Sequence, residues 1–258
     1  MVAAICDFII VGAQKSGTTA AAFNMNQHPD VSVFDGVTSF GQREIEFFNQ
    51  HWKEGVEWYR AHFDRRKKFV GEKTAELLHR TITHPRIYKV VPAAKLIVLL
   101  RCPVERAFSQ WRMATRPGWC ETREFRQVID DELSVLGTRV HDETFYYCRH
   151  RTATPWKEGY LLRGFYLDQI LSLLKWFPRE SVHVAISERV QKNMTAAYNE
   201  MFRFIGATPF FGEFTERFVG TRTHTMDRDV VERLSDLYRP ANQRLFDWLG
   251  YEVPEWRQ

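Results

Sequence analysis

Short runs of apolar, β-branched residues recur along the chain, each bounded by glycine, proline or charged residues. They lie at Phe8 to Val11, Phe69 to Gly71, Lys95 to Leu100 and Val182 to Ile186. Because these runs are apolar almost throughout, both faces of each strand must be buried, which is typical of parallel sheets. Segments with helical periodicity lie between them. The sequence therefore predicts an α/β fold in which helices flank a central parallel sheet.

The clearest helical periodicity lies in the second half of the chain. From Tyr160 to Phe177 the apolar residues form one broad helical face, and Pro178 ends the pattern. A second amphipathic run occupies the C-terminal tail. There we expect Pro240 to break or restart the helix.

Length and composition fit one large domain. The chain has 258 residues, of which 44% are hydrophobic and 14% aromatic, so it can build a substantial core. It contains no internal repeat and no linker, and we expect a single domain over residues 1–258. The segment from Met113 to Pro155 has weaker periodicity and many charged residues. It is either a substrate-facing insertion or an ordinary pair of surface helices.

Charge and hydropathy exclude several classes of protein. The net charge of +4 is too small for a chain devoted to coating nucleic acid, so we expect no nucleic-acid partner. No apolar run approaches the roughly 20 residues that span a bilayer. The N-terminus, Met1 to Ile10, does not have the pattern of a secretory signal. We therefore expect no membrane partner and a cytoplasmic location.

The four cysteines give no sign of a metal site or a disulfide framework. Cys6, Cys102, Cys120 and Cys148 are scattered, without the close pairs that zinc sites use. We expect reduced thiols and, because no cluster of His, Asp and Glu calls for one, no metal.

A glycine-rich loop follows the first predicted strand. Gly12-Ala-Gln-Lys15-Ser16-Gly17-Thr18-Thr19 leads into a helix-compatible run from Ala20 to Asn26. Such a turn directs backbone N–H groups and the positive end of the helix dipole at one point. The loop hydroxyls and the Lys15 ammonium group add further donors. The sequence therefore predicts a phosphate-binding loop.

This loop departs from the Walker A pattern of nucleoside triphosphatases. Walker A places Lys directly after its second glycine, where Thr18 stands here. The best apolar strand also ends in Arg101, whereas a Mg²⁺ site would need Asp there. A nucleotide kinase or triphosphatase therefore remains only as the alternative.

The loop resembles the 5′-phosphosulfate loop of sulfotransferases that use 3′-phosphoadenosine-5′-phosphosulfate (PAPS), in the branch of the heparan sulfate sulfotransferases. This resemblance implies a P-loop-like three-layer fold, PAPS as donor and 3′-phosphoadenosine-5′-phosphate (PAP) as product. It also implies a compact soluble member, of a kind that we expect in bacteria. The donor-binding residues that it implies in the loop are Lys15, Ser16, Gly17, Thr18 and Thr19.

A second segment offers a cation and a hydroxyl for phosphate. Arg101 follows a predicted strand, and Ser109 lies on the helix that should follow. The pair resembles the 3′-phosphate motif of the family, although Arg101 could instead pair with Glu105. The segment Thr221, Arg222, Thr223 and His224 resembles a further part of the PAPS site, but it does not have the Lys that the branch usually carries there.

A third pair of segments resembles the catalytic part of the same branch. Aligned on Phe47-Phe48, the family's base corresponds to Glu44, with Glu46 as its competitor. If the segment is helical, only one of these carboxylates can face the cleft. The Glu72-Lys73-Thr74 segment implies that Lys73 lies near the transferring group. The resemblance thus implies Glu44 as base, with Lys15 and Lys73 as cations that stabilise the transition state.

The sequence is less specific about the acceptor. Dense basic runs occur only at Arg65 to Lys68 and at Arg149 to Arg151, which is little for a long polysaccharide groove. We therefore expect a small-molecule acceptor, such as a hydroxylated or amide-bearing secondary metabolite. A polysaccharide acceptor, and a binding module that has lost catalysis, stay open. So do oxygen versus nitrogen transfer, the oligomeric state and membership of a larger multienzyme.

Overall fold

The computed structural model of the chain describes residues 5–39, 43–116, 121–139, 159–216 and 224–257. Five strands lie in these ranges: β1 (Phe8–Gly12), β2 (Val31–Val33), β3 (Phe69–Lys73), β4 (Lys95–Leu100) and β5 (Val182–Ile186). The helices are α1 (Thr18–Met25), α2 (Gly55–Arg60), α3 (His84–Val90), α4 (Pro103–Ala114), α5 (Phe125–Arg139), α6 (Tyr166–Leu174), α7 (Ser187–Lys192), α8 (Met194–Ile205) and α9 (Arg228–Leu249). Strands and helices alternate over much of the chain, as predicted.

The five strands form one parallel sheet in the order β2-β3-β1-β4-β5. From β1 the chain crosses to β2, toward one end of the strand order. From β3 it crosses to β4, toward the other end. Because crossovers between parallel strands are right-handed, α1 and α3 lie on opposite faces of the sheet. Ligands of such sheets bind beyond the carboxyl ends of the strands, where the direction of winding changes. Here that place is the edge beyond β1 and β3.

Both faces of the sheet are buried. One face packs against α1 and α8 in a core that includes Phe8, Ile10, Ile97, Leu99, Met25, Met201 and Phe202. The intervening residues Ile9, Leu96 and Val98 point to the other face and are fully buried as well. These observations confirm the predicted α/β fold and explain why the strands are apolar almost throughout.

The chain divides into two compact units. The first comprises Met1–Leu100 and Ile170–Val219 and contains the whole sheet; the second comprises Arg101–Gln169 and Gly220–Gln258. The prediction of a single domain stays a prediction. Of the segment from Met113 to Pro155, the structure describes the end of α4 and helix α5, and residues 117–120 and 140–155 lie outside the described residues.

The second unit is held by buried polar groups as well as by apolar packing. The Glu132 carboxylate of α5 accepts hydrogen bonds from the backbone N–H groups of Tyr160 and Leu161, both at 2.7 Å. The Tyr238 hydroxyl of α9 donates to the Leu161 carbonyl at 2.7 Å. The buried Arg106 guanidinium of α4 donates to the Tyr160 carbonyl. Three helices therefore converge on the turn at Tyr160 and Leu161.

Two expectations about helices were wrong. The predicted helix from Tyr160 to Phe177 begins only at Tyr166, because a 3₁₀ turn occupies Leu162–Gly164. Helix α9 runs without a break through Pro240. Buried residues lie on both sides of this proline, Leu234 and Tyr238 before it and Leu245 after it. Their packing holds the helix together although Pro240 removes one backbone donor.

Two further observations concern the described residues only. None of their helices is both long enough and apolar enough to cross a membrane. Cys6 and Cys102 carry buried thiols, whereas Cys120 and Cys148 lie outside the described residues.

Candidate active site

The predicted phosphate loop connects β1 to α1 in the first unit. Lys15 and Gly17 both adopt left-handed backbone conformations, with φ of 71° and 85°. Gly17 is the N-cap of α1. The loop therefore curls back at the start of the helix, where the first backbone N–H groups have no partners within the helix. Lys15, Ser16, Gly17, Thr18 and Thr19 lie together here, with Thr18 buried and Thr19 exposed.

Ser16 is the most unusual residue of the loop. It is fully buried, yet its hydroxyl has no hydrogen-bond partner among the described residues. Its carbonyl is held by the Ser187 hydroxyl, which donates at 2.6 Å. Buried polar groups are normally paired, so an unpaired hydroxyl in the predicted phosphate loop fits a ligand that supplies the acceptor. The loop thus fits a phosphate or phosphosulfate group.

Glu44 and Lys73 form an ion pair in the same unit. The Lys73 ammonium lies 2.5 Å from one Glu44 carboxylate oxygen, and the Ala75 N–H donates to the other at 3.3 Å. Lys73 is buried and Glu44 is mostly so. The resemblance implies that both residues belong to the catalytic part of the site, and the structure brings them together at the end of β3.

The segment that carries Glu44 is a turn, not a helix. Glu46 has a left-handed backbone, with φ of 52°, and its buried carboxylate accepts from the Gln50 side chain at 2.5 Å. Glu44 instead reaches Lys73. The two carboxylates therefore have different partners, and the helical spacing on which the choice between them was to rest is absent. The choice of Glu44 as base stays a prediction.

The predicted phosphate loop and the Glu44–Lys73 pair both lie at the carboxyl ends of the strands. β1 and β3 are parallel neighbours, and Lys73 is in register with Ile10. Beyond the strand ends, the Gln14 side-chain amide donates to the Glu76 carboxylate at 3.4 Å. At Gly12 an added Cβ would lie 2.7 Å from the Leu78 Cβ, so only glycine permits this close approach. The edge therefore places the predicted phosphate loop beside a carboxylate and a buried cation.

Glu72, the neighbour of Lys73 in β3, is also a buried carboxylate. Glu72 of β3 accepts hydrogen bonds from the Tyr59 hydroxyl at 2.7 Å and from the Thr74 hydroxyl at 2.8 Å. Burial raises the pKa of the Glu72 carboxyl to about 7, and the charge of Glu44 acts in the same direction. Sequence reasoning missed this network because its members come from separate segments.

The predicted 3′-phosphate residues lie in the second unit. Arg101 directly follows β4 and forms an ion pair with Glu105 at 3.1 Å, so the pairing that the sequence left open is present. Both side chains remain about a third exposed. The Tyr166 hydroxyl donates to the Arg101 carbonyl at 2.8 Å and fixes the backbone there. Ser109 lies half-buried on α4.

The segment from Thr221 to His224 is described only at its last residue. Thr221, Arg222 and Thr223 lie outside the described residues. His224 packs edge-on against Trp111 of α4, with ring centroids 5.3 Å apart. The end of this segment and Ser109 are therefore both associated with α4.

Other residues of the site had weak signals in the sequence. Ser187 follows β5 at the carboxyl edge of the sheet, where ligand-binding residues concentrate, and this position alone could have marked it. Glu76 had no such signal, because its contact with Gln14 depends on the pairing of β1 with β3. Among the described residues, no group of three or more His, Cys, Asp and Glu side chains is placed to hold a metal ion.

Comparison with known proteins agrees with this geometry. A family model described as the sulfotransferase domain matches residues 6–224. The chain is 24% identical to the membrane-associated sulfotransferase kil1 of Dictyostelium discoideum, over 95% of this chain and 65% of that protein. It is 26% identical to the human bifunctional heparan sulfate N-deacetylase/N-sulfotransferase 2, over 96% of this chain and 30% of that protein. The chain therefore spans less than two thirds of both relatives.

A solved structure supports the fold. The sulfotransferase from Alicyclobacillus acidocaldarius matches with a TM-score of 0.75 and 24% identity, over 98% of this chain and 99% of that chain. At this identity the likeness concerns the fold. The family match covers most of the chain and gives the kinase alternative no support. The chain belongs to the sulfotransferase domain family.

Proposed function

We propose that this domain transfers a sulfuryl group from PAPS to a hydroxyl or amide nitrogen of a small-molecule acceptor and releases PAP. The observation that carries the proposal is the Glu44–Lys73 ion pair at the sheet edge that also bears the phosphate loop. A base, a buried cation and an anion-binding loop are the groups that sulfuryl transfer needs. Family membership supports the reaction class.

The donor-binding roles are those that the resemblance implies, and the charges and hydroxyls described above support them. Residues Lys15 to Thr19 would hold the 5′-phosphosulfate, and the unpaired Ser16 hydroxyl supports this assignment. Arg101 and Ser109 would hold the 3′-phosphate, together with the segment from Thr221 to His224. Arg101 is accessible enough to exchange Glu105 for a phosphate, since neither side chain is buried.

Each proposed catalytic residue acts on one bond change or charge of the sulfuryl transfer. When bound, PAPS supplies an electrophilic sulfur whose leaving group is a phosphate. The acceptor heteroatom forms the new bond to sulfur as the bond from sulfur to the phosphate oxygen breaks, and Glu44 takes the proton that the acceptor loses. Lys73 would stabilise the sulfuryl oxygens, and Lys15 the charge that grows on the leaving phosphate.

The position of the first basic run, Arg65 to Lys68, favours a small acceptor over a polysaccharide. Arg65 to Lys68 directly precede β3, so they lie at the amino end of the sheet, opposite the phosphate loop. Each side chain has a partner within the chain: Asp7 for Arg65, Asp64 for Arg66, the Pro29 carbonyl for Lys67 and the Phe69 ring for Lys68. This run is therefore poorly placed to line a polyanion groove next to the loop. The second run, Arg149 to Arg151, lies outside the described residues.

A polysaccharide acceptor is the second candidate. The observation in its favour is the similarity to a relative whose name includes heparan sulfate N-sulfotransferase. The cytoplasmic location, the small acceptor and the independence from metal stay predictions.

Two measurements test the proposal. The first is calorimetric titration of the purified chain with PAP, and separately with ATP and Mg²⁺. We expect PAP to bind without metal and ATP to give no response; binding of ATP with Mg²⁺ alone would overturn the proposal.

The second measurement is transfer of ³⁵S from labelled PAPS to a panel of acceptors. The panel contains 4-nitrophenol, 2-naphthol, glucosamine and N-deacetylated heparosan. Labelling of a small compound supports the small-acceptor proposal, whereas labelling of heparosan alone favours the second candidate. PAP binding without transfer to any acceptor, or to water, would indicate a binding module.

A further inference from the structure

Glu72 is a buried carboxylate that the proposed chemistry does not use. It lies in β3 next to Lys73 and is fully buried. Because neighbouring residues of a strand point to opposite faces, Glu72 faces away from Lys73. Lys73 is itself bound to Glu44. Burying a carboxylate is costly, so its presence calls for a reason.

Both Glu72 oxygens accept hydrogen bonds from hydroxyl groups. Tyr59 of α2 donates to one oxygen and Thr74 to the other. Burial raises the pKa of the Tyr59 phenol well above its ordinary value, so this hydroxyl keeps its proton and remains a donor. The Cys6 sulfur lies 3.4 Å from the Tyr59 oxygen on the far side. The charged or titratable groups around Glu72 are thus Tyr59, Cys6, Glu44 and Lys73.

Two contacts lead from these hydroxyls to the turn that carries Glu44. The Thr74 hydroxyl oxygen accepts a long hydrogen bond, of 3.4 Å, from the Glu46 backbone N–H. The Tyr59 ring stacks on Phe47, with centroids 4.7 Å apart and planes 16° apart. Glu46 has a left-handed backbone, which a residue with a side chain adopts only when its surroundings hold it there. Glu72 therefore anchors two of the groups that contact this turn.

We propose that Glu72 is a positioning residue: by fixing Tyr59 and Thr74 it holds the turn of Glu44 against the end of β3, where Glu44 meets Lys73. This inference rests on the function proposed above. Glu72 does not touch the reacting atoms and acts only through the position of Glu44. Its loss should reduce turnover while leaving donor binding unchanged.

The test compares four variants by kcat, KM and PAP affinity, with ³⁵S-PAPS and the best acceptor of the panel. Glu72→Gln keeps the shape of the side chain but cannot accept both hydrogen bonds. We expect kcat to fall about tenfold or more, with KM for PAPS and the Kd for PAP within about twofold of wild type. Glu57→Gln is the matched control, because it removes an exposed carboxylate from the helix that carries Tyr59.

Thr74 provides an independent test should Glu72→Gln not fold. Thr74→Val is nearly isosteric and removes the hydroxyl, whereas Thr74→Ser retains it. We expect Thr74→Val to lose kcat as Glu72→Gln does, and Thr74→Ser to keep most of it. The pH profile of kcat should also lose an ionisation near pH 7 in Glu72→Gln, since that group titrates there in the wild type.

The outcomes separate this inference from the proposed function. Wild-type kcat in Glu72→Gln, or equal losses in Thr74→Ser and Thr74→Val, would overturn the positioning role while the proposed function stands. A wild-type chain that neither binds PAP nor consumes PAPS would overturn the proposed function, and this inference with it.

Discussion

Glu44 and Lys73 are 29 positions apart in the sequence, yet their charged groups meet at 2.5 Å at the end of β3. Their side chains are only 22% and 8% exposed, so water screens the pair less than it screens pairs on the surface. Lys73 thereby fixes the direction of the Glu44 carboxylate before any acceptor arrives.

Loss of the Glu44 carboxylate should abolish most turnover without affecting donor binding. We expect kcat of Glu44→Gln to fall by roughly 10²-fold or more, the usual scale for a lost general base. The Kd for PAP should stay near that of wild type, since Glu44 has no proposed role in holding the donor. Glu46→Gln is the matched comparison, and the assignment is reversed if turnover survives in Glu44→Gln and disappears in Glu46→Gln.

Arg101 should strengthen PAP binding through the 3′-phosphate, and Glu105 should weaken it by competing for Arg101. Arg101→Ala should weaken PAP binding several-fold or more, because the phosphate loses a charge-assisted partner. Glu105→Gln removes the ion-pair partner of Arg101, so PAP affinity should hold or rise. Calorimetry on both variants measures this difference. An unchanged Kd in Arg101→Ala would show that Arg101 does not bind the donor.

Ser16→Ala should separate ligand binding from stability. The hydroxyl has no partner among the described residues, so its removal should change the free energy of unfolding by less than about 1 kcal/mol. The same variant should bind PAP about tenfold more weakly, because the phosphate loses a hydrogen bond. Thermal unfolding without PAP measures the change in stability, and the rise in Tm on adding PAP measures the change in binding. Equal stabilisation of variant and wild type by PAP would contradict the role of Ser16.

Gly12→Ala should destabilise the protein through a steric clash. The new Cβ would lie 2.7 Å from the Leu78 Cβ and 3.2 Å from the Ala75 carbonyl oxygen, so β1 and the turn after β3 must move apart. We expect a loss of about 1–3 kcal/mol in the free energy of unfolding. Urea titration measures it, with Gly55→Ala as control, because no described atom other than those of the adjoining residues lies within 4 Å of a Cβ there. Similar losses in both variants would mean that backbone conformation, not the clash, sets the cost.

Glu72 should make stability depend on pH. Its pKa rises from 4.5 to about 7 on folding, so ionisation opposes the folded state. The stability that protonated Glu72 contributes is fully present below pH 4.5 and is lost as the pH rises through about 7. Over that range the wild type should lose roughly 3 kcal/mol relative to Glu72→Gln. Urea titrations of both proteins at several pH values test this, and parallel curves would show that Glu72 does not titrate on folding.

The sequence predicted those parts of the fold that depend on local pattern. β1 and β4 follow from continuous apolar runs that are buried on both faces. β5 follows from a mostly apolar run that is only partly buried, because β5 is the last strand of the sheet. β2 escaped notice because three residues, Val31–Val33, are too few to show a pattern. β3 extends to Lys73, beyond its apolar part, because its pairing with β1 continues through Glu72 and Lys73.

The site was predictable where a motif lies within one segment. The phosphate loop is such a case, since its glycines, hydroxyls and lysine follow each other directly. The turn around Glu44 was not, because its conformation depends on aromatic stacking between Phe47 and Tyr59, and on Thr74. The Glu72 network likewise exists only once α2, β3 and the turn have come together. Local sequence carries no record of such contacts.

The place of β5 in the sheet has a consequence for synthesis on the ribosome. β5 pairs with β4, although residues 101–181 separate the two strands along the chain. A nascent chain therefore exposes the free edge of β4 until β5 has emerged, and an open, apolar strand edge is a site where chains aggregate. Truncations that end before Val182 should accumulate as insoluble material, and useful expression boundaries must include β5.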